Sequence, residues 1–283
     1  MRTSTPDIHR AERTARRAAT SPVVVYLARL GYIVKGILYV VIGILAALLA
    51  VGHGGSATDQ RGAIGAIGAL PFGRFILIVM TVGLFGFGLW SIIQGVLDTE
   101  GQGSKAKGIL GRVGYAVVGV AYIVLGYGTL RVVSGSGSAG KSTTSSTQDW
   151  TALLLKQPFG QALVVIVGLV VLAIALYLYI RAYKAQFQSR LNLGQLRNST
   201  RKAIINLGRL GYAALGIVFT IIGIFLIVAA FQYNAKKAVG LDGALRELVQ
   251  QPFGLVLLFI VALGLIAYGL YSFAEARYRR IGR

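Results

Sequence analysis

Cysteine is absent from the 283 residues, and histidine occurs only at His9 and His53. A disulfide framework, an iron–sulfur cluster, a thiolate zinc site, a cysteine nucleophile and a histidine-rich metal site are thereby excluded. Acids are scarce too: nine Asp and Glu stand against 29 Lys and Arg, which leaves little for carboxylate catalysis or cation binding. Charged residues of both signs make up only 13% of the chain, against 55% hydrophobic residues. Soluble domains carry about 25% charged residues, so this composition is that of a polytopic membrane protein.

A membrane span needs about 20 predominantly apolar residues. Six stretches qualify, over 23–51, 72–97, 109–133, 159–180, 204–231 and 253–274. An arginine-rich polar lead precedes the first and no small-residue cleavage site follows it, so it is expected to be a retained helix rather than a signal peptide. Counting Lys and Arg by side of the membrane puts 20 on the side of both termini and eight on the other, with Lys35 inside the first span. By the positive-inside rule both termini of this multi-pass protein are expected to be cytoplasmic.

The net charge of +20 raises nucleic acid as a partner. The basic residues flank spans, as Arg10, Arg13, Arg16, Arg17, Arg277, Arg279 and Arg280 do, and apart from Tyr278 no aromatic residue is interleaved among them for base stacking. That arrangement suits anionic lipid headgroups at the cytoplasmic face and not nucleic acid. The segment 181–202 alternates basic and apolar residues and is expected to rest on the inner leaflet.

A motif is written three times: Arg29-Leu-Gly-Tyr32, Arg112-Val-Gly-Tyr115 and Arg209-Leu-Gly-Tyr212. Each continues to Gly36, Gly119 and Gly216, then to an aromatic residue (Tyr39, Tyr122, Phe219), then to Gly43, Gly126 and Gly223. The following spans repeat as well, each opened by Pro71-Phe-Gly73, Pro158-Phe-Gly160 or Pro252-Phe-Gly254, with the proline expected in the first helical turn. Fifteen residues after those glycines stand Gly88-Leu-Trp90, Ala175-Leu-Tyr177 and Gly269-Leu-Tyr271. The unit is a two-helix hairpin, and an even number of spans per unit makes the copies parallel. The expected fold is therefore all-α, with six transmembrane helices as three parallel two-helix repeats in a pseudo-threefold bundle. The chain divides into a basic tail (1–22), a first repeat (23–98), a second (107–183), a cytoplasmic amphipathic linker (184–202), a third repeat (203–276) and a basic tail (277–283).

On these three R-x-G-Y and three P-F-G motifs the chain resembles the bacterial domain of unknown function 1206 family, built from tandem two-helix units, from Leu27 to Tyr278. The resemblance implies a six-helix plasma-membrane protein and carries no catalytic residue with it.

Residues 29, 32, 36, 39 and 43 fall on one face of a helix, as do their counterparts from Arg112 and Arg209. Glycines on such a stripe permit close helix packing in lipid. The other reading is that the stripes face the pseudo-axis and, with Tyr32, Tyr115 and Tyr212, line a narrow polar path. Arg29, Arg112 and Arg209 can snorkel to headgroups, pair with other repeats, or bind an anion or lipid phosphate. The second helices carry Gln94, Arg181 and Glu275 at matching depth, a possible polar layer with Lys35, and Arg209 is the expected partner of Glu275. Lys35 has Val118 and Leu215 as counterparts; it is expected to snorkel, and is otherwise a functional candidate.

Asp59, Asp149 and Asp242 each precede a P-F-G. They are expected to cap short helices, the third a segment lying on the outer membrane face through Leu245, Leu248 and Val249, with an external cation site as the alternative. Residues 135–142 spell a phosphate-loop pattern, G-x-x-x-x-G-K-S, but follow a membrane span instead of a strand and continue as polar low-complexity sequence, so they are read as a Gly/Ser linker. With no reactive constellation, no cofactor and no catalytic residue, the expected function is non-enzymatic, structural or regulatory through lipid or protein partners. The alternative is a small ion channel or transporter along the pseudo-axis.

Overall fold

The computed structural model of the chain describes residues 21–97, 103, 106–194 and 196–279. Most of both basic tails, with Arg10, Arg13, Arg16, Arg17 and Arg280, lies outside the described residues. In chain order the helices are α1 (Pro22–Ala50), α2 (Gln60–Gly68), α3 (Gly73–Leu97), α4 (Ala106–Val133), α5 (Thr143–Leu155), α6 (Gly160–Lys184), α7 (Asn198–Phe231), α8 (Leu241–Val249) and α9 (Gly254–Tyr278). Short 3-10 turns occupy Gln186–Arg190 and Ala235–Lys237. Six helices (α1, α3, α4, α6, α7 and α9) are long and apolar enough to cross a membrane. The chain is an all-α, multi-pass membrane protein of three parallel hairpins, each with a short helix (α2, α5 or α8) between its two long ones.

The P-F-G motif builds the bend between short and long helix. In each copy the glycine N–H donates to the carbonyl three residues earlier: Gly73 to Leu70 at 2.8 Å, Gly160 to Gln157 at 2.9 Å, Gly254 to Gln251 at 2.8 Å. Proline thus sits in this turn, where its fixed φ helps, and not in the first helical turn as the sequence suggested. The phenylalanine takes a left-handed conformation, with φ of 61°, 60° and 57° at Phe72, Phe159 and Phe253. Glycine must follow, because a Cβ at Gly73, Gly160 or Gly254 would lie 2.3–2.4 Å from a carbonyl oxygen at the end of the short helix. The three phenylalanine rings are 85–87% exposed at the end of the spans, where an aromatic side chain anchors at a bilayer interface.

Glycine also decides which long helices meet. The tightest pairs join different hairpins: α3 with α4, α6 with α7, and α9 with α1. A Cβ at Gly88 would lie 2.8 Å from the Gly119 carbonyl oxygen, and one at Gly119 would lie 2.7 Å from that of Gly88. Gly269 and Gly36 stand in the same relation at 2.6 and 2.9 Å, and Gly168 and Gly223 at 3.1 Å each way. The stripes therefore neither line an axis nor pack within hairpins; they face the preceding hairpin, and the third hairpin meets the first to bring the ends of the chain together.

Within hairpins the symmetry breaks. α1 packs on α3 and α7 on α9, but α4 and α6 make next to no contact, so the six helices run α4–α3–α1–α9–α7–α6 with an open seam. One position explains it. Gly83 on α3 admits Val34 and Gly264 on α9 admits Ala214, with hypothetical Cβ contacts of 2.5 and 2.3 Å. The residue at that place on α6, ten after the P-F-G glycine, is Val170. Its branched side chain would collide with α4, and Val117, the counterpart of Val34 and Ala214, is left 64% exposed where those two are buried.

The short helices close one end of the bundle. α8 turns Leu241, Leu245 and Leu248 into the core instead of lying on a membrane face. Residues 143–148, read as low-complexity linker, form the first turns of α5, with Ser142 Oγ accepting from Ser145 N at 3.2 Å. At the opposite end the segment expected to lie on the inner leaflet folds under the bundle. Phe187, Leu191 and Leu193 are buried there, and Leu191 bridges to Arg279.

A buried ion pair in an aromatic chamber

Lys35, the fourteenth residue of α1, has its side chain enclosed in the bundle. Its Nζ donates to Glu275 Oε2 of α9 at 2.8 Å, and Arg279 Nη1 donates to Glu275 Oε1 at 2.6 Å. All three residues are buried. Lys35 does not snorkel, and Arg209 is not the partner of Glu275: Arg209 is exposed on α7. The geometry follows from the α1–α9 contact, which brings residues 240 apart in sequence face to face.

Aromatic rings enclose this cluster. Lys35 Nζ lies 4.9 Å from the Tyr32 ring centroid, 5.1 Å from Tyr268 and 5.5 Å from Phe87. Arg279 lies over Tyr32 at 5.0 Å. Cations over ring faces gain from the negative face of the π-system, more so away from water. Tyr268 continues to Tyr212 at 5.5 Å, and Tyr212 carries the Arg181 guanidinium at 4.4 Å. Phe187, from the 3-10 turn, closes the chamber against Tyr212 and Tyr271 at 5.4 and 5.0 Å.

The repeated arginines do not converge. Arg29 and Arg209 are exposed, while Arg112 donates through Nε to Gly95 O at 2.8 Å and through Nη2 to Val96 O at 2.7 Å, satisfying the last carbonyls of α3. Tyr32 and Tyr212 join the chamber; Tyr115 instead accepts a hydrogen bond from Arg190 outside it. Of the matched positions Gln94, Arg181 and Glu275, the last two border the chamber, and Gln94 is buried on α3. Gly36, Gly43, Gly119, Gly216 and Gly223 are helix contacts, and Gly126 faces Leu84 and Phe85 more loosely at 3.4 Å. The sequence signal for the ion pair was available: Lys35 and Glu275 are the two opposite charges that break the repeat.

At the other end two aspartates grip one helix. Asp59 caps its own α2 through Arg61 N and Gly62 N, and its second oxygen accepts from Thr143 N at 2.5 Å. Asp242 leaves the cap of α8 to Gly240 and accepts instead from Thr143 Oγ1, Thr144 N and Thr144 Oγ1 at 2.9, 3.0 and 2.7 Å. Burial raises the Asp242 pKa, but the bonds from Thr144 and Thr143 outweigh it and hold the carboxyl below its ordinary value. Two carboxylates thus occupy the helix terminus where the phosphate-loop pattern would need a phosphate. Asp149 caps nothing; it pairs on the surface with Lys141 at 2.6 Å. Among the described residues no group of three or more His, Asp or Glu could hold a metal ion.

A cavity of about 360 Å³ lies beneath α5, with Arg61, Thr143, Ser146 and Thr147 at its polar end and Val164, Val167, Val171, Ile222 and Leu226 along its apolar wall.

A family model described as Domain of Unknown Function (DUF1206) matches residues 30–98, 113–185 and 210–279, one match per hairpin. A Bacillus subtilis (strain 168) protein, "Uncharacterized protein YxxB", is 34% identical over 262 residues, spanning 93% of this chain and 94% of that protein. No solved structure matches.

Proposed function

The chain belongs to the DUF1206 family, and from that premise we propose that it is a non-enzymatic scaffold of the bacterial plasma membrane, acting through lipids or a protein partner, with both termini in the cytoplasm. The observation that carries this reading is the ion cluster. Charges inside a membrane protein usually mark a path for ions or protons, but here Lys35 and Arg279 are both spent on Glu275 and walled in by aromatic rings. Such a cluster holds helices together. The exposed Arg29 and Arg209, with the excess of Lys and Arg on the side of the termini, are suited to anionic headgroups.

Ion flux through purified protein in proteoliposomes, with anion and cation gradients run separately, tests the proposal. A scaffold gives no flux above empty vesicles while its thermal unfolding remains cooperative. Ion flux above that of empty vesicles would replace it with a channel.

A further inference from the structure

The seam between α4 and α6 exposes residues that the sibling hairpins bury. Val167 on α6 is 39% exposed, while its counterparts Met80 and Val261 are at 1% and 2%. Gly114 on α4 meets nothing, whereas its counterparts Gly31 and Gly211 press against Phe87 and Tyr268. In the other two hairpins the partner helix covers this surface; in the second, α4 and α6 stand apart and leave it open to another occupant.

We propose that the seam is a binding groove for one phospholipid of the leaflet at the capped end, with its phosphate at Arg61 and an acyl chain along α6. Three observations select this occupant. The groove opens sideways from a bundle that spans a membrane, so lipid is its solvent. Its polarity is graded as a phospholipid is: the cavity under α5, on the α6 and α7 side of the seam, has a guanidinium and hydroxyls at the capped end and valines of α6 below. Its length also fits, since from Val164 to Ile174 the helix advances about 15 Å, half of a hydrocarbon core of about 30 Å.

Arg61 is positioned for the phosphate. Its Nη1 donates to Lys141 O and, at 2.9 Å, to Ser146 Oγ, which fixes the guanidinium at the mouth of the cavity. Nε and Nη2 are the donors a phosphate oxygen pair would take, in the bidentate geometry arginine offers. The site lies at the end of the bundle opposite the exposed Arg29 and Arg209, so it is separate from any headgroup contact there.

The test is retention of added phosphatidylglycerol by the full-length protein through detergent exchange, read by native mass spectrometry, with dioleoylglycerol as the probe lacking phosphate. The wild type is expected to keep one phosphatidylglycerol per chain. Val117→Trp fills the seam without touching the cap and should abolish retention of both probes, with the unfolding temperature unchanged. Arg61→Gln should weaken phosphatidylglycerol about a hundredfold, the scale of two charge-assisted hydrogen bonds, and leave dioleoylglycerol unaffected. Equal retention by wild type and Val117→Trp would overturn the proposal. So would a dimer that Val117→Trp dissociates, because the seam would then be a contact between two copies. A flux result that removes the scaffold reading leaves these outcomes unchanged, so the two proposals fail separately.

Discussion

Lys35 Nζ and Glu275 Oε2 stand 2.8 Å apart, both buried, and join the first hairpin to the third across almost the whole chain. Removing one member of a buried pair leaves a charge unpaired in a low-dielectric site, at a cost of about 3–5 kcal/mol. Lys35→Met and Glu275→Gln should each lower the unfolding free energy in detergent by about that amount. The double variant should recover part of the loss, and a double-mutant cycle reads the coupling.

The glycines of the R-x-G-Y motif should separate by hairpin. Gly31→Ala and Gly211→Ala put a Cβ 2.3 Å from Phe87 Cβ and 2.6 Å from Tyr268 Cα, and overpacking of that kind costs about 1–3 kcal/mol. Gly114→Ala meets open space and should be neutral or stabilising, since alanine favours a helix by up to about 1 kcal/mol over glycine. Thermal unfolding of the three single variants checks this.

Much of this fold is written in the sequence, and the exceptions have physical causes. Six apolar runs and three R-x-G-Y motifs specify the long helices and their parallel order, because span length and periodicity are local properties. Which helices pair is not local: the stripe from Gly36 to Gly43 fits a partner within the hairpin or beyond it equally well. Val170 carried the broken symmetry in plain view, as the one residue of Gly83, Val170 and Gly264 that is not glycine. The cap expected at Asp59 does open α2, whereas the start of α5 at Thr143 is not legible in the sequence, because its stability comes from contacts with other segments, such as the grip of Asp242 on Thr143 and Thr144.

That grip makes the capped end sensitive to acid. The folded pKa of Asp242 is depressed, so its contribution is fully present above the ordinary carboxylate value of 3.8 and is lost as pH falls through the lower folded value. Asp242→Asn should cost about 2 kcal/mol at neutral pH, the scale of a hydrogen bond to a charged group. It should also flatten the fall in stability of the wild type below pH 3.8. Unfolding midpoints measured from pH 2.5 to 7 on both proteins test this.

Orientation is open to a clean experiment because the chain has no cysteine. Thr14→Cys in the N-terminal tail should be shielded from a membrane-impermeant maleimide in intact cells, and Ser138→Cys, in the loop before α5, should be labelled. The reverse pattern would invert the topology.

Which helices touch decides whether this bundle is a ring with one open seam, and disulfide trapping at one symmetric position reads it directly in native membranes. The pairs Val34→Cys/Gly83→Cys and Ala214→Cys/Gly264→Cys sit where the backbones are in contact and should cross-link. The matching pair in the second hairpin, Val117→Cys/Val170→Cys, should not. Cross-linking of that third pair as fast as the other two would mean a closed, evenly packed bundle, and would contradict both the seam and the groove assigned to it.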